Sequence, residues 1–163
     1  MDVNNDVELE LQRIRENDPH TTDFGYVSNI QNMSDDDLEH LGKDIANNTH
    51  LTEVTLTHGD LNDHRMSCLF QELKRSNSIE RMSLYYNELS VAAVRSMVPF
   101  LQNANNLMYL DLDDNNLQSE GFNMLFRALH NSPIETLSCQ DCGIESIEID
   151  TRHIPRRLNR LVL

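Results

Sequence analysis

The chain of 163 residues is one domain's length, and its apolar share of 39% lies below the usual ~45–50%. It carries 27 acids against 13 Lys and Arg, a formal net charge of −14, which disfavours nucleic acid or an anionic membrane as partner because both require a positive face. There is no run of ~18–20 apolar residues and no signal region after Met1, and three cysteines suit a reducing compartment, so the expected location is cytoplasmic.

Charge changes along the chain. Residues 1–60 hold 14 acids and 3 bases, and 61–150 hold 13 and 6; residues 151–163 hold Arg152, Arg156, Arg157 and Arg160 and no acid. Residues 7–16 predict a charged helix with Val7, Leu11 and Ile14 on one side, read as an N-terminal cap that Asn17-Asp18-Pro19 ends.

A repeat follows. Leu51-x-x-Val54-x-Leu56, Ile79-x-x-Met82-x-Leu84, Leu107-x-x-Leu110-x-Leu112, Ile134-x-x-Leu137-x-Cys139 and Leu158-x-x-Leu161-x-Leu163 begin 28, 28, 27 and 24 residues apart. This is the leucine-rich repeat pattern, and it predicts an α/β solenoid: parallel strands on a concave face, helices on the convex one. The reading is a single domain over 1–163, with repeats starting near 23, 51, 79, 107 and 134 and a partial repeat from 158. The first repeat, 23–50, has a degenerate strand through Phe24, Tyr26, Ser28 and Ile30.

In each repeat the leucines of the short strand point inward and the residues between them point to the concave face. The ninth position holds Gly59, Asn87, Asn115 and Cys142 in turn. A side chain there can satisfy backbone groups where the chain leaves the strand, and stacked repeats make such residues a ladder. The second half of each repeat is helical. Leu38, Leu41 and Ile45 recur as Met66, Leu69 and Leu73, as Val94, Met97 and Leu101, and as Phe122, Leu125 and Leu129. Ser34 before Asp35-Asp36-Asp37, and Ser90 before Val91, are N-cap signals; Gly121 is read as part of the turn from strand to helix. The fourth repeat lacks a helical period and predicts extended segments on its convex side. With no capping segment after Leu163, the chain is expected to be a fragment of a longer solenoid, or to have that end covered by another molecule, self-association included.

Chemistry-bearing constellations are few. Cys139-Gln140-Asp141-Cys142 is a C-x-x-C, which elsewhere forms a redox pair or half a zinc site. Here Cys139 falls on an inward leucine position and Cys142 on the ladder, so both are read as structural, with a thiol site as the alternative. Cys68 beside Leu69 is expected to be partly buried. Asp111, Asp113 and Asp114 place three carboxylates together but lack a calcium-loop pattern, and are read as a solvated rim. No metal site and no cofactor are expected. No catalytic motif is present and the seven histidines are scattered; the reading is not an enzyme.

The concave positions are more informative. They include Thr55 and His58; Arg81, Ser83, Tyr85 and Tyr86; Tyr109, Asp111, Asp113 and Asp114; and Ser138 and Gln140, and they hold three of the four tyrosines. Tyrosine and arginine dominate interface hot spots, and curved solenoids bind on this face. Arg81, Tyr85, Tyr86, Tyr109, Asp111 and Asp113 are therefore the candidate contacts for a protein partner with a basic or mixed surface.

The pattern Leu117-x-x-x-Gly121-x-x-x-Leu125-x-x-x-Leu129 and the repeat period resemble the ribonuclease-inhibitor class of leucine-rich repeats. Within it, Leu11-Gln12-Arg13-Ile14-Arg15-Glu16-Asn17-Asp18-Pro19, followed by Asn29-Ile30 and Asn47-Asn48-Thr49-His50, resembles the C-terminal domain of tropomodulins and leiomodins. Tropomodulins cap the slow-growing ends of actin filaments, and their repeat domain contributes one actin contact. The family's tropomyosin-binding half and the helix after its repeats have no counterpart here. The resemblance thus implies the fold and an actin-related scaffold or adaptor role, and no actin-binding residue is carried over. The alternative is a regulator of a GTPase or another nucleotide-hydrolysing protein, since such regulators also use this repeat class.

Overall fold

The computed structural model describes residues 3–25, 27–58, 60–148, 150, 152 and 154–163, with side chains from residue 7 onward except 27–29. Six short strands form one parallel sheet in the order β1-β2-β3-β4-β5-β6: β1 (Asp23–Phe24), β2 (Glu53–Thr55), β3 (Arg81–Ser83), β4 (Tyr109–Asp111), β5 (Thr136–Ser138) and β6 (Arg160–Val162). Each strand pairs with the next in sequence, as in a βα superhelix. Five helices are described: α1 (Val3–Arg15), α2 (Asp35–Asn47), α3 (Asp63–Leu73), α4 (Val91–Asn103) and α5 (Gln118–Ala128).

The register follows the repeat. Val54, Met82, Leu110, Leu137 and Leu161 are aligned across five strands. The first four are buried and join the helix residues Leu38, Leu69, Met97 and Leu125 in one core. Ser34 caps α2 with a reciprocal box to Asp37, and Ser90 accepts from the Ala92 amide at the start of α4. The Ser34 hydrogen bonds hold the Asp37 carboxyl below its ordinary range.

The two runs that carry the family resemblance meet in space. Asn48 donates to the Ile14 carbonyl at 3.0 Å and accepts from Leu51 at 2.8 Å, while Asn17 accepts from the Thr49 amide at 2.8 Å. They tie the end of α1 to the loop entering β2. Val7 and Ile14 are buried and Leu11 half-buried beneath them.

Three expectations are corrected. The degenerate first strand stops at Phe24, and a 3-10 turn runs from Val27 to Asn32; Ile30 is buried there, with its carbonyl taking the Arg65 guanidinium instead of a strand partner. Gly121 sits inside α5 and not in the turn before it, and an added methyl would make ordinary contact there, 3.5 Å from the Val91 backbone. Leu161 and Leu163 were expected to point into the core, yet they are 40% and 48% exposed, with Leu158 half-buried, because no described segment covers that side of β6. Tyr26, Gly59, Ile149 and His153, and the Ser28 side chain, lie outside the described residues.

Between β5 and β6 the described backbone of 144–148 forms neither helix nor strand. It is held on α5 by the Ser119 hydroxyl, which accepts from Glu145 and Ser146 at 3.0 Å, and by Asn123, which accepts from Glu148 at 2.9 Å. The convex element thus changes from helix to strap at the fourth repeat.

Candidate functional site: the concave strand face

Two rows of side chains cross the concave face. Asp23, Glu53, Arg81, Tyr109, Thr136 and Arg160 form the first. Thr55, Ser83, Asp111, Ser138 and Val162 form the second. Strands ~4.8 Å apart bring these partners into contact. The Arg81 guanidinium lies 4.3 Å from the Tyr109 ring centre and 3.6 Å from the Glu53 carboxylate. The contact over the ring is a cation–π pair.

Beyond the strand ends a second cluster forms. His58, Tyr86, Asp114 and Asp141 occupy equivalent places in successive repeats, and all are left-handed, with φ of 53°, 54°, 53° and 53°. That region costs a bulky residue about 1–2 kcal/mol, and its recurrence means the turn after the strand demands it. Adjacent repeats therefore set like positions face to face: the His58 and Tyr86 rings stack at 4.7 Å, and Tyr85 meets His58 edge-on at 5.1 Å. Tyr86 is 56% exposed. Tyr86 thus packs one face on His58 and leaves the rest of its surface to solvent.

The acids beside them are engaged. Asp111 accepts from the Ser83 hydroxyl at 2.9 Å and from the Asp113 amide at 3.1 Å, and Asp113 accepts from the Gln140 amide at 2.6 Å. Their oxygens organise the strand ends. Desolvation, then the Asp114 carboxylate, pushes the Tyr85 phenol above its ordinary range; desolvation, then Asp111, does the same for Tyr109. Both phenols stay neutral and can donate.

Below the turn lies the ladder. Asn87 donates to the carbonyls of Leu56 and Leu84 at 2.8 and 2.9 Å and accepts from Leu61 at 3.2 Å. Asn115 repeats this one rung on, donating to Leu84 and Leu112 at 3.0 and 2.9 Å and accepting from Leu89 at 3.1 Å. The Cys142 thiol reaches the Leu112 carbonyl at 3.0 Å. Each rung binds its own repeat and the one before it. Cys139 and Cys142 are free and buried, and the hydrogen bond between them, with burial, pushes the Cys139 thiol well above its ordinary range. The same hydrogen bond holds the Cys142 thiol below its ordinary range, so of the two Cys139 is the one kept protonated.

His58 stood among the concave positions but not among the proposed contacts; its stacking partner is set by the repeat period, the signal that could have promoted it. Two shallow grooves lie away from this face, one of about 270 Å³ beside Arg156 and Arg157 and one of about 540 Å³ between α4, α5 and the strap. No helix among the described residues is long and apolar enough to cross a membrane.

No family model and no curated protein matches the sequence. Solved structures do share the architecture. The tropomodulin C-terminal domain of Caenorhabditis elegans superposes with a TM-score of 0.64 at 15% identity, over 97% of this chain and 82% of that one. The leiomodin-1 actin-binding site 2 structure gives a TM-score of 0.57 at 21% identity, over 68% of this chain and 62% of the other. The likeness is one of fold, and the chain spans less than two thirds of the leiomodin structure's length.

Proposed function

We propose that this chain is a non-catalytic protein-binding module that takes its partner on the concave face, in an actin-related cytoskeletal role within the cytoplasm. The observation that carries the reading is the platform of exposed Arg81 on half-buried Tyr109, and of half-buried Tyr85 and exposed Tyr86 on His58. Rigid aromatics and a stacked guanidinium lose little entropy on binding. The acidic rim of Asp111 and Asp113 favours a partner surface with basic groups. The fold shared with a structure described as an actin-binding site makes actin the first partner to try.

The test is binding of the chain to monomeric and filamentous actin, with Tyr85→Ala/Tyr109→Ala beside the parent. The double variant keeps the core and is expected to fold normally. It is expected to lose at least tenfold in affinity, the scale of about 1.4 kcal/mol or more that an interface hot spot carries. Unchanged affinity for actin, and for any partner recovered by pull-down, would refute the concave-face reading.

A further inference from the structure

On the convex side, three donors of different kinds meet between α2 and α3. Asp35 opens α2, His64 lies in the first turn of α3, and Cys68 follows one turn later. One donor atom of each lies within 4.8 Å of the other two, and His64 Nε2 is 3.0 Å from Asp35 Oδ2. We propose that Asp35, His64 and Cys68 form a zinc site that clips the first two helices of the solenoid together.

The local architecture explains the meeting. His64 and Cys68 stand at i and i+4 on one face of α3, and Asp35 and Glu39 have the same spacing on α2. Gly42 continues that stripe, and a methyl there would overlap the Leu69 carbonyl. The two backbones therefore touch, closing the Asp35 side of α2 onto the His64 side of α3. Both helix starts are held: Asn62 accepts from the His64 and Arg65 amides at 3.1 Å, and Arg65 donates to the Met33 carbonyl at 2.9 Å.

The donor set selects the ion. Thiolate, imidazole and carboxylate together suit tetrahedral zinc, whereas calcium and magnesium require oxygen donors throughout. Zinc with bonds of about 2.0–2.3 Å sets its ligand atoms about 3.3–3.8 Å apart. The exposed Asp35 and His64 side chains can close to that distance by rotating over the buried sulfur. Water or Glu39 completes the fourth position. Binding forms the sulfur–zinc bond and releases the Cys68 proton to solvent. Burial, then the charges of Asp35 and Glu39, works against a bare thiolate here; a divalent cation reverses the sign of that field. An ion held only by the folded chain stabilises it. The alternative is a core thiol beside an exposed ion pair.

The two readings separate by titrating the metal-stripped, reduced protein with Co²⁺, following the thiolate-to-cobalt absorption, and displacing it with Zn²⁺. The expected result is one Co²⁺ per chain, displaced by Zn²⁺, with the absorption lost in Cys68→Ser and affinity at least tenfold weaker in His64→Ala and Asp35→Asn. Zn²⁺ should raise the unfolding temperature of the parent and not that of His64→Ala. His64 is exposed, so that variant leaves the core intact even where Cys68→Ser does not fold. Absence of the absorption, affinity unchanged in His64→Ala and Asp35→Asn, or loss of the signal only with Cys142→Ser would overturn the site.

Discussion

Leu110 and Leu161 occupy one row of the sheet, two strands apart, with the same motif around them. Leu110 is fully buried; Leu161 is 40% exposed. The strand motif provides the register in both places. Burial comes from elsewhere, from the convex segment and the next repeat that close over the strand. In the middle of the solenoid α4 and α5 supply that cover. At the C-terminal end a strap replaces the helix, and no described element follows β6. A repeat protein's stability is in this sense borrowed from its neighbours.

The largest expected effect tests that contrast directly. Leu110→Asp removes about 1.5–3 kcal/mol of burial and leaves an unpaired charge in the core. Circular dichroism should show several repeats unfolded at 25 °C. Leu161→Asp should change stability by no more than about 1 kcal/mol. Equal damage from the two would mean that Leu161 is covered in solution, by a second copy or another molecule, and the contrast would fail.

The ladder sharpens it at an intermediate scale. Asn115 is buried and bridges two repeats, while Asn87 makes the same bonds half-buried. Asn115→Ala should cost about 1–3 kcal/mol in urea unfolding, since it orphans backbone groups shut off from water. Asn87→Ala should cost less, because solvent can replace part of what it supplies. A change below about 0.5 kcal/mol at Asn115 would remove the ladder from the account.

The smallest effect belongs to the strap. Arg127 pairs with Glu148 at 2.5 Å, but their side chains are 58% and 69% exposed. Arg127→Ala should cost about 0–1 kcal/mol and less in high salt. A larger loss would show that the ion pair, and not the backbone bonds to Ser119 and Asn123, fastens the strap.

Strands, register and helix faces were legible because the repeat states each of them several times over. Asn87 and Asn115 could be assigned to the turn from their shared phase. Where the phase decays, reading fails. The first strand has one neighbour and one apolar anchor, Phe24, so alternation through Ile30 suggested more strand than forms. Leu161 was misplaced because a motif does not record whether anything covers it. The concave positions could be listed, and the repeat period would have paired His58 with Tyr86, but not the left-handed turn in two non-glycine residues that stacks their rings. The Asp35, His64 and Cys68 cluster spans two helices, so no motif within one of them carries it. Laying α3 on α2 at a period of 28 residues, the spacing of the first repeats, would have set His64 beside Asp35 and Asp36.

The central claim is that the partner covers the concave tyrosines, and hydroxyl-radical footprinting of the bound complex measures this most directly. The account predicts that Tyr85, Tyr86 and Tyr109 lose reactivity on binding while exposed residues of the convex helices keep theirs. Protection confined to the convex side, with the three tyrosines as reactive as in the free chain, would contradict it.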